Sequence, residues 1–456
     1  MSGTFSSFNT ALSALRYNRV AMDVASGNVA NAGTEGYARR QVIGQATGAP
    51  AVPALWSRWD VNAGDGVQPG GIKRMVDPLL DSRARLEHAA AGFLDTRVAS
   101  LNRFETSLAE PGENGVAAAL AAYQAGWHDV ANNPGDTAAR AQLLARAETL
   151  TDAIRGQDRA VRTEWADQSA RLTAAVAEVN QVAQELAKVN EGLRNAHVAG
   201  TDAGVLLDQR DLLVMRLSEL TGSKVRIEAD TTATVSFGEQ VLVTGNDATA
   251  LTVEVADELV DAGDPPIKLL LGNDALTIAN GEIGGIQSVM TTDLPNYLAK
   301  LDAFVGQLIS ETNTQHALGN DADGNTGGAF FGGTSAATLT VLITDPSDVA
   351  AGDPAKGRLD GSNASKLAGL DMGARSYREL ITSTGVLISS ANRGAANQAV
   401  LVSQVDASRE ALSGISIDEE MVNLLAAQRG YEGASRVLTT IDSVLDTLIN
   451  RTGLLR

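Results

Sequence analysis

Apolar residues recur at alternating intervals of three and four at both ends of the chain. Near the start, Phe5, Phe8, Leu12, Leu15, Met22 and Val29 follow this spacing with only Arg19 and Ser26 interrupting, which predicts a long helix carrying a coiled-coil seam. Near the end, Leu424, Ala427, Tyr431, Ala434, Leu438, Ile441, Leu445 and Leu448 repeat it without a polar break. Ser416 and Glu419 precede that run as a capping box, which marks a helix start. Between the two seams the spacing predicts a helix opened by Asp77-Pro78 and stopped at Pro111-Gly112, then helices over 116–131 and 137–196. The last of these has about 60 residues, and at 1.5 Å per residue it would be a rod of roughly 90 Å. A further helix ends at the C-cap candidate Gly222, and two more are expected over 286–317 and 376–412.

Two stretches have a different period. After Gly36 the text runs in short extended pieces with Gly and Pro punctuation, and from 224 to 283 it alternates with period two, as in KVRIEA, TATVSFG, QVLVTG, LTVEV and IKLLLG. The second stretch predicts a small antiparallel β insertion in a helical chain. The expected fold class is therefore α+β, mainly α: terminal coiled-coil helices, an elongated helical rod and a small inserted β domain. The expected division is 1–60 with 415–456 as a terminal helical domain, 61–224 with 284–414 as the rod, and 225–283 as the β insertion.

Composition narrows the function. With 456 residues, 44% of them hydrophobic, the chain can build sizeable cores, and with aromatics at only 4% those cores should be aliphatic. There is no cysteine, so disulfides, thiolate catalysis and Cys-based metal sites are excluded. The start lacks the pattern of a cleaved signal peptide, and no stretch approaches the roughly 18 apolar residues of a membrane span. A net charge of -19 argues against nucleic acid and against an anionic membrane as partners. The nine acids between Arg226 and Lys268, with no base among them, suggest a solvated outward face.

Catalytic chemistry has no motif behind it. The four histidines, His88, His128, His197 and His316, are far apart and form no zinc pair. No nucleophile elbow, phosphate loop or dinucleotide fingerprint is present. The string Asp321-Ala322-Asp323-Gly324-Asn325 offers oxygens at alternate positions as a calcium loop does, but Thr326 and Gly332 stand where Gly and a bidentate Glu are required. It reads better as a tight turn, and no cofactor or metal is expected.

The stretch NVANAGTEGY, at 28–37, ends the first helix in residues suited to unusual backbone. Asn28, Asn31, Gly33 and Gly36 are expected to supply conformations that β-branched residues could not, turning the chain outward. This stretch resembles a signature shared by the flagellar axial proteins, with Gly33 and Glu35 in place of the more usual Asn and Pro. SIDEEMVNLLAAQRGYEGASRVLTTIDSVLDTLIN is similar to the C-terminal pattern of the same family, with Gly433 where Ala is usual. Two interior stretches, LLDQRDLLVMRLSELTG and the one from Gly284 to Phe331, resemble the hook-associated members rather than hook protein or flagellin. The resemblance implies a structural adaptor between hook and filament, not an enzyme. It implies self-association into a ring or tube through the terminal helices, with hook protein and the third hook-associated protein as neighbours. An export chaperone and secretion through the flagellar type III apparatus to an extracellular position are implied as well. The assembly interface is then expected on Phe5, Phe8, Leu12, Leu15, Met22, Val29, Leu424, Tyr431, Leu438, Ile441, Leu445 and Leu448, with Asn28, Asn31, Gly36 and Tyr37 in the turn. The alternatives are another axial protein of hook or rod type, or a secreted calcium-dependent binding module.

Overall fold

A computed structural model describes residues 2–47, 66–256, 259, 267–357 and 359–447. The chain opens with helix α1 (Ser2–Ala30) and a hairpin of strands β1 (Arg40–Thr47) and β2 (Gly66–Arg74). Helices α2 (Pro78–Leu108), α3 (Val116–Asn132), α4 (Thr137–Ala199) and α5 (Gly204–Thr221) follow. Asp77 caps α2 by accepting from the Leu79 N–H at 2.8 Å, and Asp136 caps α4 by accepting from the Ala138 N–H at 2.9 Å. Gly200 and Gly222 close α4 and α5 in the left-handed region. At 63 residues α4 is the expected rod, and Gly156 does not break it.

The inserted β segment forms two antiparallel sheets. Strands β3 (Lys224–Ile227), β4 (Ala233–Phe237), β5 (Gln240–Thr244) and β6 (Asp247–Ala248) make one, in that order. Strands β7 (Leu251–Val255), β8 (Ile267–Leu271) and β9 (Asp274–Leu276) make the other. Two asparagines of α4 fasten the sheets to the rod. Asn180 pairs with both backbone groups of Leu251, at 2.8 and 2.7 Å, and Asn190 does the same with Ala233, at 2.9 Å each way.

The helix expected over 286–317 is two helices, α6 (Gly281–Ser288) and α7 (Leu294–His316), joined by a π turn at Val289–Asp293. Pro295 has no N–H to complete the ladder there, so the turn widens to accommodate it. A short pair of strands follows, β10 (Phe331–Gly332) antiparallel to β11 (Thr340–Val341). Helix α8 (Ser362–Ala368), unforeseen in the sequence, precedes α9 (Ala374–Ser413) and α10 (Ile417–Asp446). Among the described residues no helix is long and apolar enough to cross a membrane.

Among the described residues most buried apolar side chains form one large cluster, reaching from Phe104 to Leu380, and a small one of Leu101, Ile388 and Ala391. An aromatic knot lies in the large cluster, where Tyr123 and Trp127 meet Phe331 and Phe330 at ring separations of 5.5 Å each. Neither cluster contains a residue of α1 or α10. The two terminal helices pack on each other, with the β1–β2 hairpin against α1, and form a layer outside the core.

Candidate functional site

The distinctive chemistry lies where the terminal layer meets the rod. Asn28, fully buried near the end of α1, uses its whole amide. Its Nδ2 donates to the Arg40 carbonyl at 2.8 Å and to Glu420 Oε2 at 2.9 Å. Its Oδ1 accepts from the Tyr37 hydroxyl at 3.0 Å and from the Arg40 N–H at 3.1 Å. Glu420, in the first turn of α10 and 3% exposed, receives Arg39 through Nε at 2.9 Å and Nη2 at 2.8 Å. Arg39 also reaches Glu419 at 3.1 Å, and its N–H donates to the Ser413 carbonyl. One asparagine therefore ties the end of α1, the outgoing strand and the start of α10 into a cluster whose donors and acceptors are paired. Burial raises the Tyr37 hydroxyl above its ordinary 10.0, with Arg40 opposing that shift.

A second cluster joins this layer to α5. Asp208 accepts from Arg40 and from Arg74, each at 2.9 Å, and Asp211 accepts from Arg74 and Arg210 at 2.8 and 2.6 Å. Burial works to lower the Arg74 guanidinium, but Asp211 and Asp208 hold it above its ordinary value. The LDQRD stretch thus supplies the carboxylates that bind the base of the hairpin.

The expected turn residues divide into two kinds. Only Gly36 has a positive φ, +76°, with the Leu212 side chain 3.5 Å from where a Cβ would stand. Gly33 does not need the left-handed region. Asn28 and Asn31 act through their side chains, and Asn31 Nδ2 donates to the Gly27 carbonyl at 2.8 Å. Gly36→Val should cost about 1–2 kcal/mol in the turn. Because the turn lies outside both core clusters, the expected result is a clear loss of self-assembly by sedimentation with little change in core melting.

The seams come together, but one chain covers them only in part. Leu12, Leu15, Met22, Val29, Leu424, Leu438 and Leu445 are half-buried. Ile441 is buried, as are the small residues Ala11, Ala25 and Ala427, whereas Phe8 and Tyr431 remain 40% and 39% exposed. The Phe5 side chain and Leu448 lie outside the described residues. Gly430 brings the helices close, since a Cβ there would stand 2.5 Å from Asn18 Oδ1. The outer face of α10 also exposes Ile417, Met421, Val422, Leu425, Val437 and Val444.

The remaining candidates have structural partners. Asp321 turns into its own loop and accepts from the N–H groups of Asp323 and Asn325, each at 2.8 Å, and from Asn325 Nδ2 at 3.0 Å. Burial would raise its carboxyl, and the Asn325 and Asp323 bonds hold it below the ordinary value. His316 is buried, with Nδ1 donating to the Gly328 carbonyl and Nε2 accepting from the Ala350 N–H, both at 2.8 Å. Burial lowers its pKa, consistent with a neutral ring.

Family comparisons fit this geometry. A profile described as "Flagella basal body rod protein" matches residues 8–37, and one described as "Flagellar basal body rod FlgEFG protein C-terminal" matches residues 408–451. The first of these matches contains Asn28 and Tyr37 and the second contains Glu419 and Glu420, so each end of the chain is similar to an axial protein of the bacterial flagellum. A third profile, "Flagellar hook-associated protein FlgK helical domain", matches residues 101–331, half of the chain, and the chain belongs to the FlgK hook-associated family. This is a family of structural flagellar components and not of enzymes. Flagellar hook-associated protein 1 of Bacillus subtilis is 28% identical over 509 aligned residues, covering 99% of both chains. Its counterpart in Escherichia coli is 23% identical, covering 97% of this chain and 99% of the relative. The solved hook junction protein FlgK of Burkholderia pseudomallei superposes with a TM-score of 0.64 over 73% of this chain and 100% of that one; at 16% identity the likeness shows the fold.

Proposed function

We propose that the chain is a structural adaptor at the junction of hook and filament, and that copies of it assemble into a ring or tube through α1 and α10. The observation that carries this reading is the half-covered seam. Each apolar side chain taken fully out of water contributes about 1.5–3 kcal/mol, and here most of the terminal ones stop halfway. Neighbouring copies complete that burial without further chain ordering, so the terminal layer gains most of its stability on assembly. In this reading hook protein is the neighbour on one side and the third hook-associated protein the neighbour on the other. Export through the flagellar type III apparatus, with a chaperone on the C-terminal region, goes with that position outside the cell.

In this reading the division anticipated from sequence becomes functional. Residues 1–60 and 415–456 form the assembly layer, 61–224 and 284–414 the rod, and 225–283 an outward β domain. The test is capture of purified hook protein and of purified third hook-associated protein by the immobilised chain. Capture of both supports the adaptor. Capture of neither, or binding only to rod components, would make it an axial protein of hook or rod type.

A further inference from the structure

His88, on α2, sits between two carboxylates that belong to other helices. Its Nδ1 is 3.1 Å from Glu219 Oε1 on α5, and its Nε2 is 3.0 and 3.1 Å from the two oxygens of Asp406 on α9. A neutral imidazole has one N–H and can donate to one of them only; both contacts are hydrogen bonds only when the ring is protonated. In the sequence His88 is isolated, because both partners lie more than a hundred residues away along the chain.

We propose that His88 is a proton-operated clamp that fastens the C-terminal half of α9, and with it the root of α10, to the rod. The two carboxylates are held unequally. Each keeps an arginine that has a shorter partner elsewhere, Arg216 on Glu178 at 2.6 Å and Arg409 on Asp81 at 2.9 Å. When the ring loses its proton, Glu219 keeps a hydrogen bond from Arg216 at 3.3 Å, while Asp406 keeps Arg409 only at 3.6 Å, beyond hydrogen-bond distance. The α9 side therefore lets go first. From Asp406 the helix runs directly to Ser413, whose carbonyl accepts from the Arg39 N–H, and then to α10. A loosened α9 reaches the terminal layer through this stretch.

The other charged groups around the ring are carboxylates and arginines. Asp81 and Asp95 come from α2 itself, Asp211 and Arg216 from α5, Arg409 and Glu410 from α9, Glu282 from α6 and Arg171 from α4, with Glu35 and Arg74 at the rim. His88 is the single imidazole among them, and it sits in mainly acidic surroundings. The bond to Glu219 is the largest influence raising the His88 pKa above its ordinary 6.5, against burial, and the bond to His88 lowers Glu219 below its ordinary 4.5. A raised histidine contributes stability that is complete below 6.5 and is lost as pH rises through the folded value; the lowered carboxylate contributes stability that is lost only as pH falls through its own folded value. The clamp is thus closed in mild acid and opens on the alkaline side.

The test is hydrogen exchange of the full chain between pH 5.5 and 8.5, corrected for intrinsic rates, read over residues 397–413 with α4 as internal control. In the natural chain, protection of that segment should fall roughly threefold to tenfold as pH rises, the size expected for charge-assisted bonds at a half-exposed site. His88→Gln should give low protection with no pH dependence. Asp406→Asn, at a side chain 41% exposed and outside the core, should abolish the pH dependence with the rod intact. A flat profile in the natural chain, or the same slope in the natural chain and either variant, would overturn the clamp. The measurement concerns one chain alone, so it stands apart from the partner assignment.

Discussion

Glu420→Ala should loosen α10 from α1 and the outgoing strand within the terminal layer while leaving the rod folded. The substitution removes the acceptor of two Arg39 bonds and one Asn28 bond at a side chain only 3% exposed. Breaking a buried ion pair from one side costs about 3–5 kcal/mol. Arg39 is partly exposed and can rehydrate, so about 2–3 kcal/mol is the expected loss. That is a large share of what holds a layer with half-covered apolar contacts. Exchange of α10 amides should accelerate by more than tenfold, with the melting of the core shifted by no more than a degree or two. Glu420→Gln keeps an acceptor for Asn28 and should lose roughly half as much.

Removing a terminal helix should separate folding from assembly even more sharply. Without residues 1–30, or without 418–456, both core clusters keep every member, because none lies in α1 or α10. Asp208 and Asp211 still hold the base of the hairpin through Arg40 and Arg74. The melting temperature should therefore move by no more than about 3 °C, while self-assembly, followed by sedimentation or electron microscopy, disappears. A fall of 10 °C or more would mean that the terminal helices are part of the core.

Elements with a strong period and a local cap were legible in the sequence. The rod helix, the Ser416 start of α10 and the β insertion each follow from neighbours a few residues apart, so a window of text contains their cause. The join between α6 and α7 was not, because apolar spacing continues through a π turn and only Pro295 marks the change. The site was half legible. The stretches around Asn28 and Glu420 are distinctive in the sequence, but the Asn- and Gly-rich text around Asn28 points to its backbone, whereas its side chain is the hub of a buried cluster. Its bond to Glu420 spans 392 positions, and nothing local in the text pairs them. The His88 cluster was hidden for the same reason, since it draws one group from each of three helices.

The central claim is that the terminal layer is weakly held in a single chain and completed by neighbours. Hydrogen exchange of the isolated, full-length chain beside its assembled form tests this most directly. Amides in 8–30 and 417–447 should exchange at least a hundredfold faster than the centre of α4 in the isolated chain, and should become protected on assembly. Protection equal to that of α4 in the isolated chain, unchanged on assembly, would contradict it.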